Sequence, residues 1–179
     1  AVGYAAGTAV TTGTNNTLVG GLAGDATTTG DYNVAVGSSS LSANTTADHN
    51  SALGADSLGK NTTGTSNVAV GSSALYNNTT GDNNTAVGRS ALSANTTGES
   101  NAVVGASAGD ALTTGSFSVA VGAGALSAED TGSRNVAVGY DALKVQNSDT
   151  TNFNTAVGFE AGKAVTTGVE NAIIGASAG

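Results

Sequence analysis

A glycine preceded by Val, Leu or Ile returns along this chain at Gly3, Gly20, Gly37, Gly54, Gly71, Gly88, Gly105, Gly122, Gly139, Gly158 and Gly175. Nine of the ten intervals are 17 residues; the tenth, from Gly139 to Gly158, is 19 and places a two-residue insertion within Leu143 to Asp149. So short a period constrains the fold more than any other property of the sequence. Units of this size cannot bury an apolar face alone and become stable by stacking on their equivalents.

Other positions keep step with this reference glycine. Asn stands four residues before it in nine of ten copies, among them Asn33, Asn67, Asn84 and Asn135, with Ser118 as the exception. Val, Leu or Ile stands immediately before it, as Val36, Val70, Val87 and Val138 do for Gly37, Gly71, Gly88 and Gly139. The residue two before is usually Ala (Ala35, Ala69, Ala86), and the residue three after is only Ala or Ser. Eight before the next reference glycine comes Thr, often the second of a Thr-Thr pair ahead of a turn glycine, as in Thr79-Thr80-Gly81. Such regularity predicts columns of like side chains running along a stack.

Helical hairpin repeats need longer units, and Gly, Asn and Thr disfavour helix in every copy. The segment Asn67-Val68-Ala69-Val70-Gly71 alternates as a strand does, which puts Val68 and Val70 on one face and Ala69 on the other. Gly81-Asp82-Asn83 and its equivalents supply the reversal. The fold expected is all-β: a parallel β-solenoid (β-roll) of 17-residue coils, each with two or three short strands, in one repetitive segment over 1–179.

The position four after the reference glycine reads as core. It holds Leu41, Leu58, Leu75, Leu92, Leu126 and Leu143, but glycine at Gly7, Gly24, Gly109 and Gly162. In three of the four glycine copies an apolar residue appears three places later (Val10, Leu112, Val165), where the leucine copies mostly carry Asn. Volume lost at one position returns nearby, as a close-packed interior requires.

With 27 Gly, seven aromatics and no Pro, Cys, Met or Trp, the interior must be thin. A coil that buries one Leu, one or two Val and a few Ala is marginal as a lone stack, so association is expected. The Ala column, read as pointing out of the coil, suggests a flat strip for packing copies side by side in a parallel homotrimer.

The run Asn-Val-Ala-Val-Gly at 67–71 and 135–139, with Asn-Thr-Ala-Val-Gly at 84–88 and 154–158, resembles the head repeats of YadA-like trimeric autotransporter adhesins. It is equally similar to the Gly-rich repeats of bacteriophage tail fibres. The resemblance implies a left-handed β-roll in a trimer, with the Val-Ala-Val strand toward the axis. It implies a structural shaft or adhesive segment of an extracellular fibre, on a virion or a bacterial cell surface. The longer unit with its added Asn-Thr-Thr-Gly turn favours the phage-fibre-like group; a head or stalk segment of a bacterial adhesin is the alternative. The chain starts and stops inside repeats and reads as an excerpt of a longer fibre.

Other chemistry finds little support in the residues. Thirteen acidic residues against five basic ones give a net charge of −8, which opposes binding to nucleic acid, and no apolar run is long enough to insert in a membrane. The single His49, on a variable position, reads as an exposed surface residue. Asp31, Asp48, Asp82 and Glu99 fall after the turn and read as solubilising charges. The residues suggest no catalytic role, cofactor or metal ligand. The Asn column reads as an internal amide ladder. The Thr column raises ice binding as a third reading, with one outward column available. If this segment itself touches a cell-surface glycan or protein receptor, the contacts expected are Phe117, Tyr140, Phe153 and Phe159, which cluster around the insertion.

Overall fold

The computed structural model describes residues 1–149 and 151–179. Among these, ten three-residue strands follow one another: β1 Thr17–Val19, β2 Val34–Val36, β3 Ser51–Leu53, β4 Val68–Val70, β5 Thr85–Val87, β6 Ala102–Val104, β7 Val119–Val121, β8 Val136–Val138, β9 Thr155–Val157 and β10 Ala172–Ile174. They form one parallel sheet in sequence order, with each residue paired to its equivalent one repeat on, as Ala69 is to Ala86. This is a β-solenoid. Stacking ten strands at about 4.8 Å gives a rod on the order of 50 Å long.

Each coil carries one strand where two or three were expected. The rest of the coil is irregular, yet its backbone bonds vertically all the same: Leu75 N–H donates to the Ala91 carbonyl (3.0 Å), Asn77 to Ser93 (3.1 Å) and Thr79 to Thr96 (2.9 Å). Strand dihedrals fail there because the path bends through left-handed residues. Leu75 (φ 51°), Ser73 (φ 57°) and Asn83 (φ 59°) mark three such positions, repeated through the stack. Non-glycine residues occupy this region at a cost of roughly 1–2 kcal/mol each, offset here by vertical hydrogen bonds and burial.

The reference glycine is a different case. Gly71 has φ 130°, outside the range of L side chains, and a Cβ on it would lie 2.6 Å from the carbonyl carbon and oxygen of Gly88. Gly37, Gly88 and Gly139 share both features. Here the backbones of successive coils approach too closely for any side chain.

The core lies where the Leu column predicts it, with Leu75, Leu92 and Leu143 wholly buried. The two faces of the strand are the reverse of the sequence expectation. Ala35, Ala69, Ala86 and Ala137 are fully buried, while Val68 is 36% exposed and Val36, Val70, Val87 and Val138 are half-buried on the outer face. The coil is so narrow that only a methyl group fits beside the opposing leucine. Where leucine gives way to glycine the inner strand residue enlarges: Leu18 lies against Gly7 and Gly24, Val103 against Gly109 and Ile173 against Gly162. This joins the compensation by Val10, Leu112 and Val165, all in or against the core.

Vertical pairing continues through Asn147, whose N–H donates to the Thr166 carbonyl (2.8 Å), and Asn154 is back in the Asn column. The two extra residues therefore fall after Asn147, at the far end of the expected span or just beyond it. Beneath them Glu129, fully buried, accepts from the Gly132 N–H (2.8 Å), the Gln146 amide (3.0 Å) and the Asn152 amide (2.7 Å). Buried carboxylates are stable only when so satisfied.

Two substitutions test this account. Gly71→Ala is expected to destabilise by at least about 2 kcal/mol, from strain and collision with the next coil. Ser73→Gly should stabilise by about 1 kcal/mol, because the left-handed position then carries no Cβ; Gly124 already occupies it in another coil. Thermal and urea unfolding followed by circular dichroism reads both.

Candidate functional site: an exposed strand face with aromatic edges

Two polar ladders fix how the strand face is presented. In the first, Asn67 Oδ1 accepts from the Asn84 N–H (2.9 Å) and its amide donates to the Gly81 carbonyl of the next coil (2.8 Å). Asn33 and Asn84 repeat this, and all are buried. In the second, which the sequence reading passed over, the Asn78 amide bonds Asn61 Oδ1 (2.8 Å) and the Gly81 carbonyl (3.0 Å). That ladder stops at Leu112, leaving Asn95 Oδ1 without a partner. Asn135, beside the insertion, keeps the ladder bond from the Asn154 N–H (3.2 Å) and takes a further one from the Gln146 amide (3.2 Å), while its own amide nitrogen has no partner among the described residues. With Asn, Ala and Leu turned inward, the alternate residues of each strand face solvent.

The outer face consists of four columns. Two come from the strands themselves, typified by Val68 and Val70, and are uncharged throughout. Along one edge runs the column five before the reference glycine, all exposed; along the other runs the column one after it. Of the 13 acidic residues only Glu170 stands on these four columns. The face is uncharged and mainly apolar in its middle, with Thr17, Ser51, Thr85 and Thr155 among its valines, and nearly free of the negative charge the rest of the chain carries.

The four expected contact residues are all exposed, at 50–54%, and divide between the two edges. Tyr140 and Phe159 stack on one edge, ring centroids 5.4 Å apart. Phe117 and Phe153 occupy the other, and the residue between them, missed in the sequence, is Arg134. Its guanidinium carbon lies 5.3 Å from the Phe117 ring centre and 5.8 Å from that of Phe153. The periodicity held the missing signal, since all three share one repeat position. Lys144 and Lys163 are held by Asp141 (2.9 and 3.7 Å), and Lys163 also by Glu160 (2.6 Å). Arg134 has no ion pair among the described residues. On the same edge further up, His49 is exposed, as expected, and stacks on Tyr32 at 5.1 Å.

Three of the turn carboxylates bond the preceding coil. Asp31 Oδ1 accepts from the Thr14 N–H (2.6 Å) and hydroxyl (2.9 Å), and Asp82 treats Thr65 alike (2.6 and 3.1 Å). Asp48 accepts from the Asp31 N–H (2.7 Å). These side chains cap backbone donors of the preceding coil. The inner threonines from Thr11 to Thr113 also bond vertically, as the Thr79 hydroxyl does to the Thr96 carbonyl (3.0 Å), leaving one outward column with Thr63, Thr80 and Thr97; Thr150, of that column, lies outside the described residues. Among the described residues no group of three or more His, Cys, Asp or Glu could hold a metal ion, and no pocket opens on the surface. No family model matches this chain, and no curated protein or solved structure does either.

The Thr14 N–H, then its hydroxyl, hold the Asp31 carboxyl below its ordinary 3.8. A carboxylate lowered in the folded state contributes stability above its unfolded pKa, lost as pH falls through the folded value. The melting temperature should therefore drop on acidification below the ordinary carboxylate range. In Asp31→Ala the midpoint should be lower at neutral pH and the acid drop shallower.

Proposed function

We propose that this chain is a structural shaft or adhesive segment of a parallel trimeric fibre, phage tail-fibre-like, that supports recognition of a host surface. One observation carries the reading: a strand face running the length of the stack that is uncharged and mainly apolar in its middle and almost without acidic residues, on a chain of net charge −8. Like-charged copies associate most readily where their charge is absent. The inward Ala column removes the flat strip first expected to pack between copies, and the Val columns take its place. This agrees with the resemblance, which sets the Val-Ala-Val strand toward a three-fold axis.

The four columns span about 15–20 Å and the stack about 48 Å, which offers on the order of 800 Å² per copy, or about 400 Å² toward each of two neighbours, and about 2,400 Å² over the closed ring, so the three contacts reach the area of a standard stable interface only together. In such a fibre the role is mechanical. Parallel strands from each copy share load along the axis, and equivalent coils set the distance between a recognition element and its base.

Sedimentation equilibrium should return three times the 16.9 kDa chain mass. A folded monomer at micromolar concentration would sink the proposal. Val70→Asp with Val87→Asp should leave the β circular dichroism in place while weakening association at least about a hundredfold, because each would bury like charges together.

A further inference from the structure

A fibre built of near-identical coils has an alignment problem. If one copy slides along the axis by a single coil, about 4.8 Å, each residue of the first strand column still meets a Val, Leu or Ile of the second and only one coil loses its partner. The strand columns therefore distinguish poorly between aligned and displaced copies. What breaks the near-degeneracy must be aperiodic and must lie on the outer face.

The largest aperiodic feature there is the group on the coils of Gly122, Gly139 and Gly158. Phe117, Arg134 and Phe153 form a cation–π stack on one edge, and Tyr140 and Phe159 stack on the other. Around a rotation axis parallel to the rod, the first edge of one copy faces the second edge of its neighbour. The two halves of the group are thus presented to each other between copies, in adjoining coils. Most of the facing positions elsewhere carry small or polar residues, such as Ala106 and Ala123.

We propose that Arg134 and Phe153 of one copy dock on Tyr140 and Phe159 of the next and so lock the axial register of the assembly. This inference rests on the oligomeric reading above and adds to it which residues set alignment. Arg134 suits the role because among the described residues it makes no ion pair and only a long bond to the Thr151 hydroxyl (3.5 Å), so its charge can lie against a neighbour's ring. In a closed ring of three, a copy displaced by one coil is displaced in opposite senses at its two contacts. Displacement one way sets Phe117 against Tyr140 and Arg134 against Phe159 while Phe153 meets Ala176; at the other contact Phe153 meets Tyr140, Arg134 meets Ala123 and Glu170 meets Phe159. Across the two contacts four pairings of a ring or the guanidinium with Tyr140 and Phe159 fall to three, and a carboxylate is set on a ring, whichever copy moves.

The chain has no cysteine, so introduced thiols report register directly. In the closed ring the first strand column of one copy faces the second of its neighbour, so Ser51→Cys in one chain lies across from Leu53→Cys in another when copies are aligned and from Val70→Cys when they are offset by one coil. Single-Cys chains are co-refolded in these two pairings and oxidised. Aligned copies cross-link Ser51→Cys with Leu53→Cys and not with Val70→Cys, because a one-coil offset carries the α-carbons beyond the roughly 7 Å that a disulfide spans. In a background of Arg134→Ser, Phe153→Ser, Tyr140→Ser and Phe159→Ser the Ser51→Cys/Val70→Cys disulfide is expected to rise at least about tenfold, with the oligomer retained. Tyr140→Ser with Phe159→Ser alone serves if the fourfold variant loses its circular dichroism signal. An assembled variant that still cross-links Ser51→Cys only with Leu53→Cys overturns the lock and leaves the oligomer standing. Should that variant instead lose retention on immobilised glycan, the group is a receptor site. A monomeric parent chain overturns both readings.

Discussion

The stack depends on how closely one coil's backbone lies over the next. At each reference glycine the carbonyl of the following coil occupies the place a Cβ would take, as Gly88 does above Gly71. Once that approach is made, the remaining vertical bonds fall into line, from the Val68 N–H on the Asn84 carbonyl (2.8 Å) to the Thr79 N–H on the Thr96 carbonyl (2.9 Å). Side chains extend the same logic. Asn67, Asn78 and Asp82 each reach one repeat away and bond what the backbone leaves open. Such a structure is close to one-dimensional, each coil answering only to the two beside it.

Much of this was legible from the period alone. A residue that recurs every 17 positions in a stack meets its own kind, so the Gly, Asn and Leu columns announced themselves as contacts. The choice of inner face was not. Alternation in Val68-Ala69-Val70 says that two faces exist and is silent on which is enclosed; hydrophobicity pointed to valine. The enclosing distance decided for alanine, and a local pattern does not contain that distance. Leu18, Val103 and Ile173 held the clue, since the inner residue enlarges where Gly7, Gly24, Gly109 and Gly162 leave room.

The same limit applies to the exposed face. Four of its aromatics were visible as a cluster in sequence, but their division into two edges with Arg134 between a pair of rings needed the columns to be assigned. Likewise the left-handed conformation of Leu75 and Leu92 has no signature in residue type, since leucine seldom adopts it. Glycine at the equivalent position in Gly24 and Gly109 was the only hint, and it reads as readily as a volume change.

The insertion after Asn147 leaves the neighbouring strands in step. Two residues are added, Glu129, Gln146 and Asn152 close the gap beneath them, and β9 pairs with β8 in the same register as every other neighbour. Chain length at that corner is thus decoupled from pitch. A lineage of such proteins could grow a finger there without disturbing the stack below, so that variety collects along one ridge while the remainder stays uniform.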